Sequence, residues 1–431
     1  MGKRLQSAMG LVLAAIASAS MWFYVDRILV GYQAADAKAH QRPRGNLSDL
    51  YPRWLGAREM LLHKRNPYSD ELTVEIQRGY YGRALDAARP NDPKDQQGFA
   101  YPLYVIFLLA PLTGLPFHAV QLFFFWLLLG LTGLTVWFWL RLLRGRLPPS
   151  DIALGIALTL GSFPAVQGIK LQQLSLLVAA LLAGSAACVA GGWLFIGGAL
   201  LALATIKPQL AWPLVAWMLA WSLSDWRTRG RLALGFASMM ALLVGTAEIV
   251  LPGWWRMFAE AIHRYRQYTQ NRSVLDEFVP WSRAGAILGG ASILTCAFLL
   301  WKLRSEPAET EGFGRAVALV MALTVLIVPM YAPYNQVLML PAVLALALDR
   351  RLLAAGSPSL RWGYMAGTFA LAWQWMGSLL LSAAYLFDSS ARVIGAWKLP
   401  LFATFALPVF VFALILIDVR RVQRQDCLNG R

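Results

Sequence analysis

The sequence predicts an all-α polytopic membrane protein, a bundle of about twelve transmembrane helices in one continuous domain over residues 1–431. Three observations carry that prediction. Of 431 residues, 58% are hydrophobic and only 14% charged, where a soluble chain carries about 25% charged residues. Apolar runs of roughly 17 to 25 residues recur from end to end, each long enough to cross about 30 Å of hydrocarbon. Basic residues cluster where those runs end: Arg141, Arg144 and Arg146; Arg227, Arg229 and Arg231; Arg350 and Arg351; Arg420, Arg421 and Arg424. Such clusters mark cytoplasmic loops. The formal net charge of +16 therefore sits at span ends. No basic stripe interleaved with aromatics is present, which argues against nucleic acid as a partner.

The first span runs roughly from Met9 to Val30, behind Lys3 and Arg4. Ala17-Ser18-Ala19 resembles a signal-cleavage site, but the apolar run continues through Met21-Trp22-Phe23-Tyr24-Val25. That is long for the apolar part of a signal peptide, so an uncleaved signal-anchor is expected. An external loop with juxtamembrane helices follows over residues 32–117. Its polar part, residues 32–99, holds eleven Lys/Arg and nine Asp/Glu, and long loops cross largely regardless of charge. Within it Leu50, Trp54, Ala57 and Leu61 fall at helical spacing, which predicts a surface helix over 50–63. Asn66-Pro67-Tyr68 ends that helix. Gly79-Tyr80-Tyr81-Gly82-Arg83 reads as an aromatic loop anchored at the interface.

Two apolar segments come next, Tyr101–Pro116 and Phe117–Leu143, joined by Gly114-Leu115-Pro116. If both crossed, Arg141, Arg144 and Arg146 would lie outside, against the charge rule. Tyr101–Pro116 is therefore placed along the outer interface, with Tyr101-Pro102 as its helix start. Later spans fall at roughly 151–166, 172–190, 193–207, 209–223, 232–251, 282–301, 316–331, 336–348, 362–386 and 398–418. Both termini are then cytoplasmic. The outer turns are Lys170–Gln173, Lys207–Gln209, Leu251–Trp281, Tyr331–Gln336 and Phe387–Trp397.

Polar chemistry gathers at those outer turns. Asp26, Glu248 and Lys398 lie near outer ends, whereas ion-coupled transporters usually keep an ionisable group near the midplane. Asp49 reads in two ways. It, or Ser48, is the N-cap of the 50–63 helix, or it is a catalytic carboxylate; a capping carboxylate would be the weaker base. Lys207, between an apolar run and Pro208, either snorkels to the interface or meets a phosphate. Lys170, Gln172 and Gln173 form another polar turn. Arg256, His263, Arg264, Arg266 and Arg272 crowd one outer loop. They are either a solvated face or a phosphate-binding group, since guanidinium binds phosphate oxygens in a fork. Arg256, His263 and Arg266 are spaced to share a helix face. Tyr334-Asn335-Gln336 either caps a helix or bonds sugar hydroxyls. Cys188, Cys296 and Cys427 show no metal or redox spacing. His40, His63, His118 and His263 are far apart, and no Walker loop, HExxH, GxSxG or CxxC motif occurs.

Four of these stretches together resemble glycosyltransferase family 87. They are Asp49-Leu50-Tyr51-Pro52-Arg53-Trp54 with Gly56 and Arg65-Asn66-Pro67-Tyr68; Phe99-Ala100-Tyr101-Pro102-Leu103 with Pro111; Ile206-Lys207-Pro208-Gln209; and Tyr334-Asn335-Gln336. The pattern runs in order over roughly residues 45–350. It departs from the family at Leu103, where a second proline is common, and at Asn335-Gln336, where some relatives carry an acidic or histidine-containing pair. The resemblance implies a GT-C fold with interfacial helices in the first external loop. It implies a hexosyltransferase moving a sugar such as mannose from a polyprenyl-phosphate donor to a lipid or glycan acceptor, in contact with membrane lipids. The family's functional acid carries over onto Asp49 as general base, with inversion. Lys207, Arg256, Arg264 and Arg266 are the expected phosphate-binding groups, and Tyr51, Arg53, Tyr101, Gln209, Tyr334 and Asn335 the expected substrate-binding set. No cofactor and no metal is expected as a requirement. The expected setting is the bacterial inner membrane with the site facing outside. The rival readings are a flippase or transporter of lipid-linked glycans and a non-catalytic assembly protein.

Overall fold

A computed structural model describes residues 3–45, 48–145, 147–269, 272–279, 281, 283–329, 331–350, 356–388 and 391–428. Arg146 and Arg351 of the basic clusters lie outside the described residues. Among the described residues the chain is helical throughout, with no strand.

Six helical stretches are long and apolar enough to cross a membrane: Leu5–Ala39, Phe117–Leu142, Trp226–Val250, Ala284–Leu303, Pro358–Phe387 and Val393–Gln423. A seventh crossing arises if Pro149–Leu160 and Phe163–Lys170, bent by 58° at Gly161-Ser162, form one span. The expected twelve crossings are thus not matched by twelve long helices. The stretches at 172–190, 193–207 and 336–348 are the shorter apolar helices Leu174–Ala190, Leu194–Ile206 and Pro333–Leu348. Each falls short of the ~20 residues that a straight crossing takes.

Burial explains the apolar composition of the shorter helices. Helix Glu311–Ile327 is buried at every position from Gly312 to Leu326 and forms the central column. Near its start, Arg315 is clasped by Glu311 at 2.7 Å, by Asp418 at 2.8 Å and by Asp349. Asp418 is fully buried and also meets Arg421 at 2.9 Å. Elsewhere, helix Leu194–Leu203 lies almost in backbone contact with Trp226–Val250. A Cβ on Gly198 would sit 2.0 Å from the Leu232 carbonyl, and one on Gly235 2.1 Å from that of Phe195. Small residues of this kind let membrane helices approach closely.

The first helix is 35 residues long, about 52 Å at 1.5 Å per residue. It therefore projects well beyond a ~30 Å core. Helices Tyr51–His63 and Asp70–Tyr81 then form a hairpin. Lys64 closes the first in the left-handed region at φ 57°, and the Ser69 side chain caps the second. Gly79 has no room for a side chain, because a Cβ there would lie 1.8 Å from the Tyr51 hydroxyl. The segment expected as an interfacial helix over Tyr101–Pro116 is helical only at Val105–Leu109, followed by one tight turn at Ala110–Leu112. Pro111 and the Gly114–Pro116 stretch break it. Tyr101-Pro102 sits in the preceding turn, and Leu103, Val105, Ile106 and Leu109 are fully buried beneath the hairpin.

Candidate active site

Helix breaks from distant parts of the chain converge on one cavity of about 440 Å³. Asp49 and Arg53 enter from the hairpin, Asp95, Gln97, Gly98 and Tyr101 from the loop behind it, and Gln173 from the turn after Phe163–Lys170. Lys207, Pro208 and Gln209 come from the break between two apolar helices. Val328, Pro329, Tyr334 and Asn335 come from the break after the central column. Non-helical backbone at membrane depth is tolerated where it lines a cavity or is buried in protein.

The two readings of Asp49 are separated by its contacts. Leu50, not Asp49, is the N-cap of Tyr51–His63, and no side chain caps that helix. Ser48 instead donates to the Gln172 side chain at 2.6 Å, and the Asp49 N–H donates to the Leu171 carbonyl at 3.0 Å. The acid is pinned to the turn Lys170–Gln173 rather than to its own helix. Its carboxylate accepts from the Tyr80 hydroxyl at 3.1 Å and from the Gln173 side-chain amide. Burial, and then the charge of Asp49, push the Tyr80 hydroxyl well above the usual tyrosine range, so it remains a donor.

Lys207 is buried, with only 6% of its surface exposed. Of its two readings, snorkelling to the interface is therefore not met. Its ammonium donates to Gln173 Oε1 at 2.7 Å and to Ser175 Oγ at 2.8 Å. It also faces the rings of Tyr101 and Tyr334 at 5.8 and 5.4 Å. The Ser175 hydroxyl in turn donates a hydrogen bond to Asn335 Oδ1 at 2.9 Å. A hydrogen-bonded chain thus runs from Asp49 through Gln173, Lys207 and Ser175 to Asn335. Arg53 donates to the Asp49 carbonyl at 2.8 Å and lies 4.4 Å above the Tyr101 ring. Burial works against its charge, and Tyr101 and Asp49 more than offset that, so the guanidinium is held charged.

The amphipathic helix Trp254–Thr269 closes one wall. Phe258, Ile262, Tyr265 and Arg266 line the cavity, at spacings of four, three and one. Of the three arginines expected from this helix, Arg256, Arg264 and Arg266, only Arg266 reaches it. Arg256 lies over the Trp255 ring at 4.9 Å, and Arg264 pairs with Asp70 at 2.7 Å on the surface. The helix turns its more apolar face inward, and of the face expected from Arg256, His263 and Arg266 only Arg266 meets the cavity. Tyr51 is also elsewhere, packed on Phe117 at 4.9 Å and Trp54 at 5.8 Å. Gln336 turns away and donates to the Thr404 carbonyl at 2.6 Å.

Sequence reasoning left Tyr80, Asp95, Gln97 and Tyr265 out of the site and read Gln173 only as part of a polar turn. Tyr80 and Tyr81 are not an interfacial anchor. Both are buried, with hydroxyls on Asp49 and on the Asp95 carbonyl at 2.8 Å. Asp95 bonds the Gln97 backbone and side chain at 2.9 and 2.8 Å. Its loop is tied by a forked Arg83–Asp92 pair at 2.5 and 2.8 Å. Among the described residues, no group of three or more His, Cys, Asp or Glu converges in metal-binding fashion.

All-helical among the described residues, apolar enough to be embedded, and hollowed by a polar cavity at its helix breaks, the chain is a polytopic membrane protein equipped to hold a polar group. The sequence model of glycosyltransferase family 87 matches residues 99–329, more than half of the chain, and the chain belongs to that family. It is a membrane glycosyltransferase. The matched stretch contains Tyr101, Gln173, Lys207, Gln209 and Arg266, whereas Asp49, Arg53, Tyr334 and Asn335 lie outside it and join it only in space. No curated protein matches the chain, and no solved structure matches it.

Proposed function

We propose that the protein transfers a hexose, such as mannose, from a polyprenyl-phosphate donor to a hydroxyl of a lipid-linked or glycan acceptor at the outer face of a bacterial inner membrane. One observation carries this reading. An acid, Asp49, and a buried cation, Lys207, face the same cavity one amide apart. Its volume of about 440 Å³ is typical of small-molecule sites.

The chemistry is a single displacement. The acceptor oxygen attacks the anomeric carbon, and the bond from that carbon to the phosphate oxygen breaks, inverting the centre. The acceptor proton passes to the Asp49 carboxylate. The departing polyprenyl phosphate gains a negative charge, which Lys207 stabilises with Arg266 and Arg53 nearby. Arg256 and Arg264, which face away from the cavity, take no phosphate role in this reading. Tyr101, Gln209, Tyr334 and Asn335 surround the sugar. The apolar wall of Trp212, Phe258 and Ile262 offers the isoprenoid its path. No cofactor is assigned, because side-chain cations serve the leaving group; unchanged turnover in a chelator is the expected result.

The test is Asp49→Asn in proteoliposomes, with a panel of polyprenyl-phosphate sugars and mass spectrometry of the products. The wild type should glycosylate an acceptor and the folded variant should lose at least a hundredfold in rate. A variant that transfers sugar at the wild-type rate removes Asp49 as the base.

A further inference from the structure

Gln173 is almost fully enclosed, at 4% exposure, and both ends of its amide are engaged. Its N–H₂ donates to Asp49 Oδ2 and its carbonyl accepts from Lys207 Nζ at 2.7 Å. Only this orientation is chemically consistent. A flipped amide would set its carbonyl against a carboxylate and its N–H₂ against an ammonium. The residue therefore stands between two opposite charges, bonded to both and neutral itself.

We infer that Gln173 is a positioning residue that keeps Asp49 and Lys207 apart as separate base and phosphate-binding cation. The inference rests on the roles proposed above for those two groups. A direct ion pair would lower the basicity of the carboxylate, since an opposite charge favours its ionised form. It would also occupy the ammonium that the leaving group needs. The amide spacer supplies each charge with a partner of the right polarity and neutralises neither. Ser175, from the same helix start, accepts a second hydrogen bond from the ammonium. Tyr80 takes the other carboxylate oxygen. Both charges are thus oriented by neutral groups.

Two variants test this. Gln173→Met keeps a neutral chain of similar volume and loses both hydrogen bonds; kcat should fall roughly tenfold to a hundredfold, with the protein still monodisperse. Gln173→Glu places a second carboxylate beside Asp49 and gives Lys207 a direct ionic partner. The acid limb of kcat/KM should move to higher pH by about one unit or more, and donor KM should rise. Arg53, Arg266, Lys207, Tyr80, Tyr101, Tyr265, Tyr334 and Asp95 also face this region, and of these only Asp95 is a carboxylate, so an unchanged limb in Asp95→Asn on the Gln173→Glu background excludes Asp95 as the titrating group. A merely structural role would lower yield without moving the limb. If Gln173→Met stays within twofold in kcat, or the Gln173→Glu limb overlays that of the wild type, the spacer role is overturned. Asp49→Asn runs alongside: wild-type activity there fails the base assignment itself, whereas its inactivity beside unaffected Gln173 variants fails the spacer alone.

Discussion

Lys207→Met is the most discriminating single change. A polyprenyl-phosphate sugar is a phosphodiester with one negative charge, and the departing polyprenyl phosphate is a monoester approaching two. The ammonium is therefore worth more in the transition state than in the bound ground state, and its removal should act on kcat more than on donor KM. Losing one aimed donor of this kind costs about 3–4 kcal/mol, or roughly a hundredfold to a thousandfold in rate. The folding consequence is smaller because two effects oppose each other. The variant forfeits hydrogen bonds to Gln173 and Ser175, each about 1.5–3 kcal/mol for a charged donor. It also removes an ammonium that is only 6% exposed, whose desolvation costs several kcal/mol. Methionine fills the stem, so net stability should change by no more than about 2 kcal/mol. The assay is transfer from a labelled polyprenyl-phosphate sugar in proteoliposomes, beside thermal unfolding in detergent. A folded variant with kcat within twofold of wild type would refute the phosphate role of Lys207.

Arg256→Ala and Arg264→Ala should stay within about twofold in kcat/KM, because the exposed Arg264–Asp70 pair is worth no more than about 1 kcal/mol and neither residue lines the cavity; a tenfold loss in either would relocate the phosphate site. Arg315→Ala should destabilise the fold by about 3 kcal/mol, measured as an earlier melt in detergent, since it strips one partner from the fully buried Asp418. Asp92→Asn should make the 82–98 loop easier to cleave in limited proteolysis at neutral pH. Arg83, then the Asp86 backbone, hold the Asp92 carboxyl down at about 2, below its ordinary value of 3.8. The wild-type clamp is therefore fully present above about pH 4 and released as pH falls through about 2, so acid should erase the difference between the two proteins.

Much of the fold was legible because proline, glycine and periodicity act locally. The helix expected over 50–63 is Tyr51–His63, and the Lys207-Pro208 break falls where it was placed. The crossing number was not legible, because lipid and protein interior select the same apolar side chains. Glu311–Ile327 is buried in its own protein, and its composition resembles that of a lipid-facing span. Within the cavity, Lys207 stands out in sequence as a charge directly after an apolar run, and Asp49 and Arg266 stand out through the polar outer loops that carry them. Gln173, Tyr80 and Asp95 do not, since a glutamine at a turn or a tyrosine at a helix end is ordinary until tertiary contact gives it a partner. The arginine face of Trp254–Thr269 misled for a related reason. Charge spacing was read, whereas the half-buried Phe258, Ile262 and Tyr265 mark the side that turns inward.

The turn Lys170–Gln173 organises the site more than either charged residue does. Ser48 docks on Gln172, the Asp49 N–H on the Leu171 carbonyl, and the Asp49 carboxylate on Gln173. Lys207 reaches the same Gln173 from a different helix break. Asp49 belongs to a long loop, and loops are poor holders of catalytic geometry unless a rigid element fixes them. Here the fixing element is a turn between two buried helices, itself tied internally by Gln172 to the Ile169 and Lys170 carbonyls at 3.0 and 2.8 Å. Base and cation are thus measured from one reference point rather than from each other. Gln172 touches neither the Asp49 carboxylate nor the Lys207 ammonium but holds Ser48 next to the acid, so its loss should weaken transfer chiefly by releasing the base. The signature would be a fall in kcat with donor KM nearly unchanged, and a Gln172→Ala enzyme with wild-type kcat would show that the loop holds Asp49 without the turn.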